Sequence, residues 1–452
     1  MRISTIGLLR GATWTTAAYG AGLLLRLIST MTLTRLLAPE LFGIMVVVYS
    51  IRVGIELILS DAGLGTNIVY NRDGNKPEFY NTAWSIQFIR GLILCVATIG
   101  IAAPLSYFYK LPVLLNIIPV VAISFLFSGF SSMSFYLLQR GMQVGKINTF
   151  EFIVQLFSVT LTILLAYLSP TIWALVLGSL AEPAARFVGS YYLIPGLRHK
   201  FYISKEYLVE IFKYGRWIFL ASIVFFFSIN FDRLYLAKMI PLELLGVYGI
   251  ARALSEIITN LFDRLTNLIF FPLVTSSRDV PRAQLREQLA PIRLKVLLLL
   301  AVGMSLAIAT ADFLIRIMYD SRYAAAGWML PFLLIGAWFY ILGNLNKAAL
   351  LGIGKSEYSA ISDSVKLGYV MVFVTLGFTK GGVPGVIVVM ATIDLCRYGA
   401  ILFGQVRERF SFGTQDFGLT IILFILIGFW QWLRWIVGLG TSFQSLPIAG
   451  FG

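Results

Sequence analysis

The sequence predicts an all-α protein that crosses a membrane many times, built as two six-helix bundles around a central cavity and followed by one further helix. Of its 452 residues, 58% are hydrophobic and 13% are charged, whereas a soluble chain carries about a quarter charged residues. Apolar runs of about 20 residues, long enough to span a bilayer, recur along the chain. Because lipid cannot satisfy backbone polar groups, such runs are expected to be helices, and the short alternating segments of a barrel are not seen.

Hydropathy and helix-breaking residues predict about thirteen spans, within a range of twelve to fourteen. They cover residues 8–33, 42–69, 82–108, 113–138, 150–168, 171–194, 214–239, 243–271, 292–318, 328–349, 358–379, 383–406 and 416–438. The predicted domains are an N-terminal bundle (1–197), a cytoplasmic linker (198–213), a C-terminal bundle (214–406) and a last helix with a short tail (407–452).

The net charge of +14 is interpreted as membrane topology rather than nucleic-acid binding, because Lys and Arg collect in cytoplasmic loops. This bias predicts a cytoplasmic N-terminus. The N-terminal segment shows no convincing cleavage site, so an uncleaved first helix is expected. Cys95 and Cys396 lie in apolar runs and are expected to be packing residues. The single histidine, His199, lies in the basic stretch RHK, where a solvated side chain is expected. No metal or cofactor site is predicted.

A short polar phrase occurs twice between long apolar runs, as TRLLAPELFGI (34–44) and AKMIPLELLGV (237–247). Further landmarks recur in the same order in both halves. The matched residues are Arg35 with Lys238, Glu40 with Glu243, Gly43 with Gly246, Arg90 with Arg293, Pro119 with Pro331, and Arg186 with Arg397. Chance similarity between apolar helices does not explain matched polar positions. The two halves are therefore predicted to be parallel repeats, an architecture typical of transporters.

Charged residues inside the predicted spans are expected to have a structural or functional role. Inserting an ionised side chain at mid-bilayer costs at least about 2.5–3.5 kcal/mol of free energy. Most of them lie in the spans that flank the repeated phrase. They are Arg26, Arg52, Glu56 and Asp61 in the first half, and Arg216, Asp232, Arg233, Arg252, Glu256, Asp263 and Arg264 in the second. Asp61, in the stretch SDAGLG, is expected to be a cap or turn residue.

Two pairs, Arg52 with Glu56 and Arg252 with Glu256, are spaced four residues apart and share a helix face. Either each pair neutralises itself and stabilises its bundle, or the guanidinium groups line a cavity and bind an anionic headgroup. Arg26 has no acidic residue three or four positions away, and it is the preferred cavity residue.

Other charged residues have two interpretations that the sequence leaves open. Arg90 and Arg293 begin their spans and either anchor at the interface or contact substrate. Glu182 and Asp394 lie three or four residues before a basic residue, which favours structural pairing, with ion coupling as the alternative. The predicted substrate-binding set is Arg26, Arg52, Arg90, Arg233, Arg252, Arg264 and Arg293, and the predicted ion-coupling set is Glu56, Glu182, Glu256 and Asp394.

The phrases LTRLLAPELFGIMVVVYSI, SDAGLGTNIVYNRD and NFDRLYLAKMIPLELLGVYGIARALSEI resemble the starts of the two halves of polysaccharide transporters, the Wzx-type flippases. That family belongs to the multidrug, oligosaccharidyl-lipid and polysaccharide exporter superfamily. The resemblance implies transport of undecaprenyl-pyrophosphate-linked oligosaccharides for O-antigen, capsule or exopolysaccharide assembly, in contact with membrane lipids. A polymerase and chain-length machinery are implied as possible partners. Longer members often have fourteen helices, one more than predicted here.

Two other functions are alternatives to a flippase for a membrane protein of this kind. A multidrug or small-molecule antiporter of the same superfamily would share the bundles, but it would need a more apolar, acid-lined cavity. A membrane glycosyltransferase or polymerase would usually carry acidic motifs in a large outer loop, and the predicted outer loops, such as KLP and TKGG, are very short. The arginines inside the spans favour an anionic cargo, so the sequence predicts a flippase and not an enzyme.

Overall fold

The computed structural model describes residues 5–58, 64–277 and 280–443. These residues form helices, turns and loops without a β-strand, which confirms the all-α class. The chain divides into two compact units, Met1–Phe226 and Phe227–Gly452. The division falls inside a helix rather than in a loop, and the predicted domain limits remain predictions.

Unit 1 contains nine helices over its described residues and the first part of a tenth. They are α1 Thr5–Leu36, α2 Pro39–Ile58, α3 Leu64–Tyr70, α4 Pro77–Gly100, α5 Ala102–Tyr109, α6 Leu114–Phe130, α7 Ser134–Arg140, α8 Val144–Leu168, α9 Ile172–Ser190 and α10 Lys205–Met239. Helix α4 packs along α6, and α8 packs between α1 and α9. A buried cluster that includes Leu37, Ala166 and Leu175 fills the space where α1, α8 and α9 meet.

Unit 2 is built around one deeply buried helix, α15, which packs against α11, α13, α14 and α16. Of its most apolar 18-residue stretch, 78% is buried. The elements after α10 are α11 Leu242–Leu265, a π-helix at Thr266–Phe270, α12 Phe271–Ser276, α13 Arg282–Ala309, α14 Ala311–Met318, a 3₁₀-helix at Ser321–Tyr323, α15 Ala326–Gly352, α16 Glu357–Arg407 and α17 Gly413–Ile436.

Every predicted span coincides with helix over its described residues, although several spans are broken. The predicted span 113–138 divides into α6 and α7, which meet at a bend of 50°. Among the described helices, eight are long and apolar enough to cross a membrane, or nine if this bent pair is counted as one span. The chain is thus a multi-pass membrane protein, while the number thirteen stays a prediction.

Two helices begin about ten residues before the apolar run that predicts them. Helix α10 begins at Lys205, inside the predicted linker, and the Leu208 N–H donates to the Ser204 carbonyl. Helix α13 begins at Arg282, directly after Pro281. Hydropathy marks only the apolar part of a helix, so a polar first turn is not detected by it.

Two backbone irregularities in unit 2 lie where Gly or Pro occurs. Helix α16 is interrupted at Gly381 and Gly382, and Gly382 has φ of 55°, which disfavours residues with a Cβ. This break lies between the predicted spans 358–379 and 383–406. The π-helix ends two residues before Pro272, whose missing N–H and ring prevent a regular α-helical hydrogen bond.

Helices α4 and α6 touch through two glycines. A Cβ added to Gly91 would lie 2.8 Å from the Gly129 Cα and 2.7 Å from the Phe125 carbonyl oxygen. Both contacts are with backbone, so neither can be relieved by a side-chain rotation. The approach of these two helices therefore requires glycine at 91.

We expect Gly91→Ala to lower the free energy of unfolding by about 1–3 kcal/mol, because the added methyl overpacks the crossing. Gly100 lies on the same helix with no atom within 4 Å of an added Cβ, so Gly100→Ala is the matched control and should be neutral or stabilising. Thermal unfolding of the purified variants in detergent measures both. Equal stability of the two variants would contradict the close contact.

Candidate functional site

Unit 1 holds a cavity of about 450 Å³ between α2, α4, α6, α7, α8 and α9. Its wall combines aromatic rings, among them Phe135, Tyr136 and Phe150, with polar groups. The polar groups that line it are Glu56, Gln87, Arg90, Ser128, Ser131, Ser132, Arg186 and Ser190. An apolar pocket with a few polar groups is the usual form of a ligand site.

One side of the cavity is the bend between α6 and α7. Helix α6 ends at Phe130, and the Gln87 amide donates to the carbonyl oxygens of Ser128 at 2.9 Å and Ser131 at 3.0 Å. Carbonyls at a helix end lack partners within the helix, and this side chain from α4 supplies one. The bend thus places several serines on the cavity wall while the backbone stays satisfied.

Arg90 and Glu56 bring opposite charges to the cavity. The Arg90 Nη2 donates to the Glu56 backbone carbonyl at 3.3 Å, which fixes the guanidinium near α2. The Glu56 carboxylate lies 3.6 Å from the Arg52 Nη1, and the Arg52 guanidinium also lies over the Tyr49 ring at 5.5 Å. The predicted Arg52–Glu56 pair is therefore present, with one member lining the cavity.

Arg186 is held by two carboxylates. Its guanidinium donates to both oxygens of Glu151, at 2.7 and 2.6 Å, and to Glu182 at 3.0 Å. A bidentate contact of this kind fixes the plane of the guanidinium. The predicted Glu182–Arg186 pair is present, and Glu151 on α8 is an additional partner.

Arg26 lies on α1 with an exposed side chain, and its backbone carbonyl accepts a hydrogen bond from Thr30. Within the described part of the chain it forms no ion pair. Arg264 is also exposed, at the end of α11. Asp61 and the side chain of Arg216 lie outside the described residues.

In unit 2, four charged residues of α10 and α11 form one cluster. Arg233 contacts Glu256 at 2.6 Å, and Arg252 contacts Glu256 at 3.3 Å and Asp232 at 3.8 Å. The Tyr248 hydroxyl donates to Asp232, whose side chain is 1% exposed. The predicted Arg252–Glu256 pair is present, and Arg233 and Asp232 extend it to a cluster of four charged residues.

A second cluster joins α15 to both arms of α16. Lys366 contacts Asp394 at 2.9 Å, and Arg397 contacts Asp363 at 3.2 Å and Asp394 at 3.8 Å. The ring of Tyr340 lies 5.5 Å from the Lys366 ammonium and 5.3 Å from the Arg397 guanidinium. The predicted Asp394–Arg397 pair thus belongs to a larger buried network in which positive and negative charges alternate.

Arg293 lies in a buried ion pair. Its side chain is 1% exposed, its Nη1 lies 2.5 Å from the Asp416 carboxylate, and it donates to Asn346 at 2.9 Å. Asp416 belongs to α17, the helix outside the predicted repeat. The matched residue Arg90 instead lines the cavity of unit 1, so the extra helix distinguishes the two equivalent arginines.

Sequence reasoning missed several partners, namely Glu151, Asp363, Lys366 and Asp416. Lys366 stands in the middle of a predicted span, and an ionisable residue at such a position is a signal of function or pairing. The other three lie near the ends of predicted spans. Each of these three residues contacts a partner more than 30 positions away in the chain. Rules based on helical spacing cannot detect such contacts.

Comparison with known proteins places these features in a family. The sequence profile described as "Polysaccharide biosynthesis protein" matches residues 32–327. The amylovoran biosynthesis protein AmsL of Erwinia amylovora is 24% identical over 304 residues, which are 65% of this chain and 76% of AmsL. The lipopolysaccharide biosynthesis protein WzxC of Escherichia coli K12 is 22% identical over 60% of this chain and 54% of its own length. The chain therefore spans about half the length of WzxC.

Solved structures show the same fold at low sequence identity. The lipid II flippase MurJ, in an inward closed conformation, superimposes with a TM-score of 0.73 and 14% identity over 94% of this chain and 92% of MurJ. An inward-facing multidrug resistance MATE family transporter gives a TM-score of 0.62 and 14% identity over 88% of this chain and 95% of its own. At these identities the likeness concerns the fold alone, and it confirms the predicted all-α, multi-helix fold.

We expect Asp416→Asn to cost about 3–5 kcal/mol of stability, because it leaves the Arg293 guanidinium buried without an opposite charge. The control is Glu357→Gln, which removes the exposed partner of Lys355 at 3.7 Å and should cost less than about 1 kcal/mol. Thermal unfolding in detergent compares the two. If both variants lost the same amount of stability, the buried Arg293–Asp416 pair would contribute no more than an exposed ion pair.

Proposed function

The chain belongs to the polysaccharide biosynthesis protein family, and we propose that it is a flippase that moves lipid-linked oligosaccharides across the bacterial inner membrane by alternating access. The cargo we propose is a polyprenyl-pyrophosphate-linked unit for O-antigen, capsule or exopolysaccharide assembly. The main structural support is the cavity of unit 1, whose wall carries Arg90 and several serines. The names of AmsL and WzxC, both proteins of polysaccharide biosynthesis, support the same class of cargo.

The chemistry of such a cargo fits the groups on the cavity wall. A pyrophosphate offers several acceptor oxygens with negative charge, and arginine binds them through two parallel N–H donors. Sugar hydroxyls can exchange hydrogen bonds with Ser128 and Gln87, and apolar sugar faces can contact Phe135 or Tyr136. The polyprenyl tail needs no protein cavity, because it can stay in lipid.

We propose different roles for the predicted arginines. Arg26 and Arg90 are the preferred cargo ligands, since Arg26 is exposed and Arg90 lines the cavity. Arg52 contacts Glu56 at 3.6 Å and would reach cargo only by exchanging that contact. Arg233 and Arg252 have carboxylate partners and would reach cargo only by exchanging them. Arg264 and Arg293 are our less favoured cargo ligands. Arg293 already pairs with Asp416 and would have to leave that contact to bind cargo.

The energy source is also a proposal. The membrane potential contributes about 2.3 kcal/mol per charge per 100 mV and favours outward movement of an anion. Glu56, Glu182, Glu256 and Asp394 each contact a basic residue, so ion coupling through any of them would require that contact to change. We further propose a cytoplasmic N-terminus, and a polymerase and chain-length machinery as partners that receive the translocated unit.

The alternative is a multidrug or small-molecule antiporter, which the MATE structure shows to be compatible with this fold. A cationic drug would be attracted by an excess of carboxylates. Among the described residues that line the cavity, the charged side chains are Glu56, Arg90 and Arg186. Because Arg186 is already paired with Glu151 and Glu182, the preference for an anionic cargo rests on Arg90.

The decisive experiment uses a strain that lacks this protein. We expect lipid-linked oligosaccharides to accumulate on the cytoplasmic face of the inner membrane while the surface polymer disappears, because the enzymes that build the unit remain active. Extraction of the lipid fraction, followed by a test of sidedness with an impermeant glycan-modifying reagent, measures this. Normal polymer and sidedness together with altered sensitivity to small toxins would support the antiporter instead.

In the same strain, we expect Arg26→Ala and Arg90→Ala to restore less than about one tenth of polymer export, since each loses one charge-assisted contact to the headgroup. Arg72→Ala is the control, because Arg72 is an exposed arginine of a loop in unit 1, and it should restore export fully. Membrane levels of each variant are measured by immunoblot. Full export by either test variant would remove that arginine from the proposed site.

A further inference from the structure

The connector between α9 and α10, residues 191–204, is fastened along the side of α4. The backbone N–H of Lys200 donates to Asn81 at 3.1 Å, that of Tyr202 to Ser85 at 3.0 Å, and that of Ser204 to Thr82 at 3.1 Å. All three acceptors are buried side chains of α4. The connector is therefore a defined part of unit 1, and its one histidine has a fixed position.

The His199 imidazole lies in a box of aromatic rings. It stacks on Trp84 at 5.5 Å between ring centres with 10° between the planes. Tyr80 and Tyr191 contact it edge-on, at 5.8 and 6.2 Å. The sequence predicts a solvated histidine here, and the structure shows that prediction to be wrong, because the rings come from α4 and from the end of α9.

The hydrogen bonds of His199 define its protonation state. Its Nε2 lies 3.3 Å from the Met133 backbone N–H, which donates to it, and 2.8 Å from the Ser132 hydroxyl. An Nε2 that accepts a backbone N–H carries no hydrogen, so the ring hydrogen is on Nδ1. Nδ1 is buried and has no hydrogen-bond partner within the described part of the chain.

Ser132 and Met133 form the bend between α6 and α7, and this bend is a wall of the cavity. Ser132 lines the cavity together with Ser131 and Ser190. The Ser132 backbone N–H donates to the Ser190 hydroxyl at 2.8 Å, and the Ser134 hydroxyl donates to the Ser190 carbonyl at 2.5 Å. A change in the position of His199 is therefore passed to the cavity through Ser132.

We propose that His199 is a positioning residue for the cavity, since its neutral imidazole accepts the Met133 N–H and the Ser132 hydroxyl and so holds the bend that carries the serine-lined wall. This inference rests on the proposed function only in so far as the cavity receives the cargo. The role in holding the bend is independent of what the cavity binds.

The surroundings of the ring keep it neutral. The groups that face it are the Tyr80 and Tyr191 phenols, the Trp84 indole and the Ser132 hydroxyl, and its neighbours Arg198 and Lys200 are exposed cations. Within the described residues, no carboxylate contacts the ring. Burial accordingly lowers the pKa of His199 to about 4 from its ordinary value of 6.5.

The sign of the pH effect follows from this lowered pKa. Between pH 6.5 and about 4 the unfolded chain binds a proton at His199 and the folded chain does not, so acidification through this range weakens the folded connector. Above pH 6.5 both states are neutral and the contribution is complete. At the pH of the cytoplasm the bend is therefore held.

The first test uses the fact that His199 is the only histidine of the chain. Protein labelled with ¹⁵N-histidine in detergent gives one imidazole, whose titration and tautomer are measured by NMR. We expect a pKa near 4 and the hydrogen on Nδ1. A pKa near 6.5, or a hydrogen on Nε2, would overturn the inference without bearing on the proposed function.

The second test separates packing from hydrogen bonding with two variants. His199→Gln keeps an acceptor near the Nε2 position and loses the aromatic stack, whereas His199→Phe keeps the stack and loses the acceptor. Hydrogen exchange measured on peptides that contain Met133 should be about tenfold faster in His199→Phe, which loses one net hydrogen bond, and within about twofold of wild type in His199→Gln. Equal exchange in all three proteins contradicts the inference.

The same variants are then compared in polymer export at equal membrane levels. We expect His199→Phe to reduce export about tenfold and His199→Gln to restore at least half of it. Wild-type export by His199→Phe would show that the histidine does not position the cavity. Failure of wild-type protein itself to move lipid-linked oligosaccharide would refute the proposed function, while the exchange experiment would still decide whether His199 holds the bend.

Discussion

An ionised side chain inside an apolar helical protein is stable only next to an opposite charge, and unit 2 depends on this constraint. Removing Lys366 or Asp394 from water is costly, and their 2.9 Å contact offsets that cost only if the two arms of α16 meet at these residues. In the same way, the contact of Arg293 with Asp416 requires α13 and α17 to meet at these two residues. Charge pairing therefore helps to set the register of the helices in unit 2.

Unit 1 carries its cavity at the bend between α6 and α7. The bend after α6 exposes carbonyls that Gln87 satisfies, and the glycine contact between α4 and α6 holds the two helices together at that level. Arg90 contacts a backbone carbonyl rather than a carboxylate in its described contact on the cavity wall. The two halves of the repeat thus carry different chemistry at equivalent positions.

Most of the fold was predictable because its signals are local. Apolar run length located the helices, and the Gly381–Gly382 break falls between two predicted spans. The pairs Arg52–Glu56 and Glu182–Arg186 follow from a spacing of four residues on one helix. The predicted starts of α10 and α13 lie about ten residues too late, because the first turns of these helices are polar and hydropathy does not detect them.

The sequence by itself determined the helical membrane class, the approximate spans and the short-range ion pairs, since helix periodicity and lipid thickness act on consecutive residues. Only the tertiary structure decided that His199 lies in an aromatic box, that Arg293 pairs with α17 and that Arg90 lines a cavity. These outcomes depend on which helix faces meet. Which helix faces meet depends on close packing between residues that are far apart in the chain. A local sequence pattern does not predict such packing.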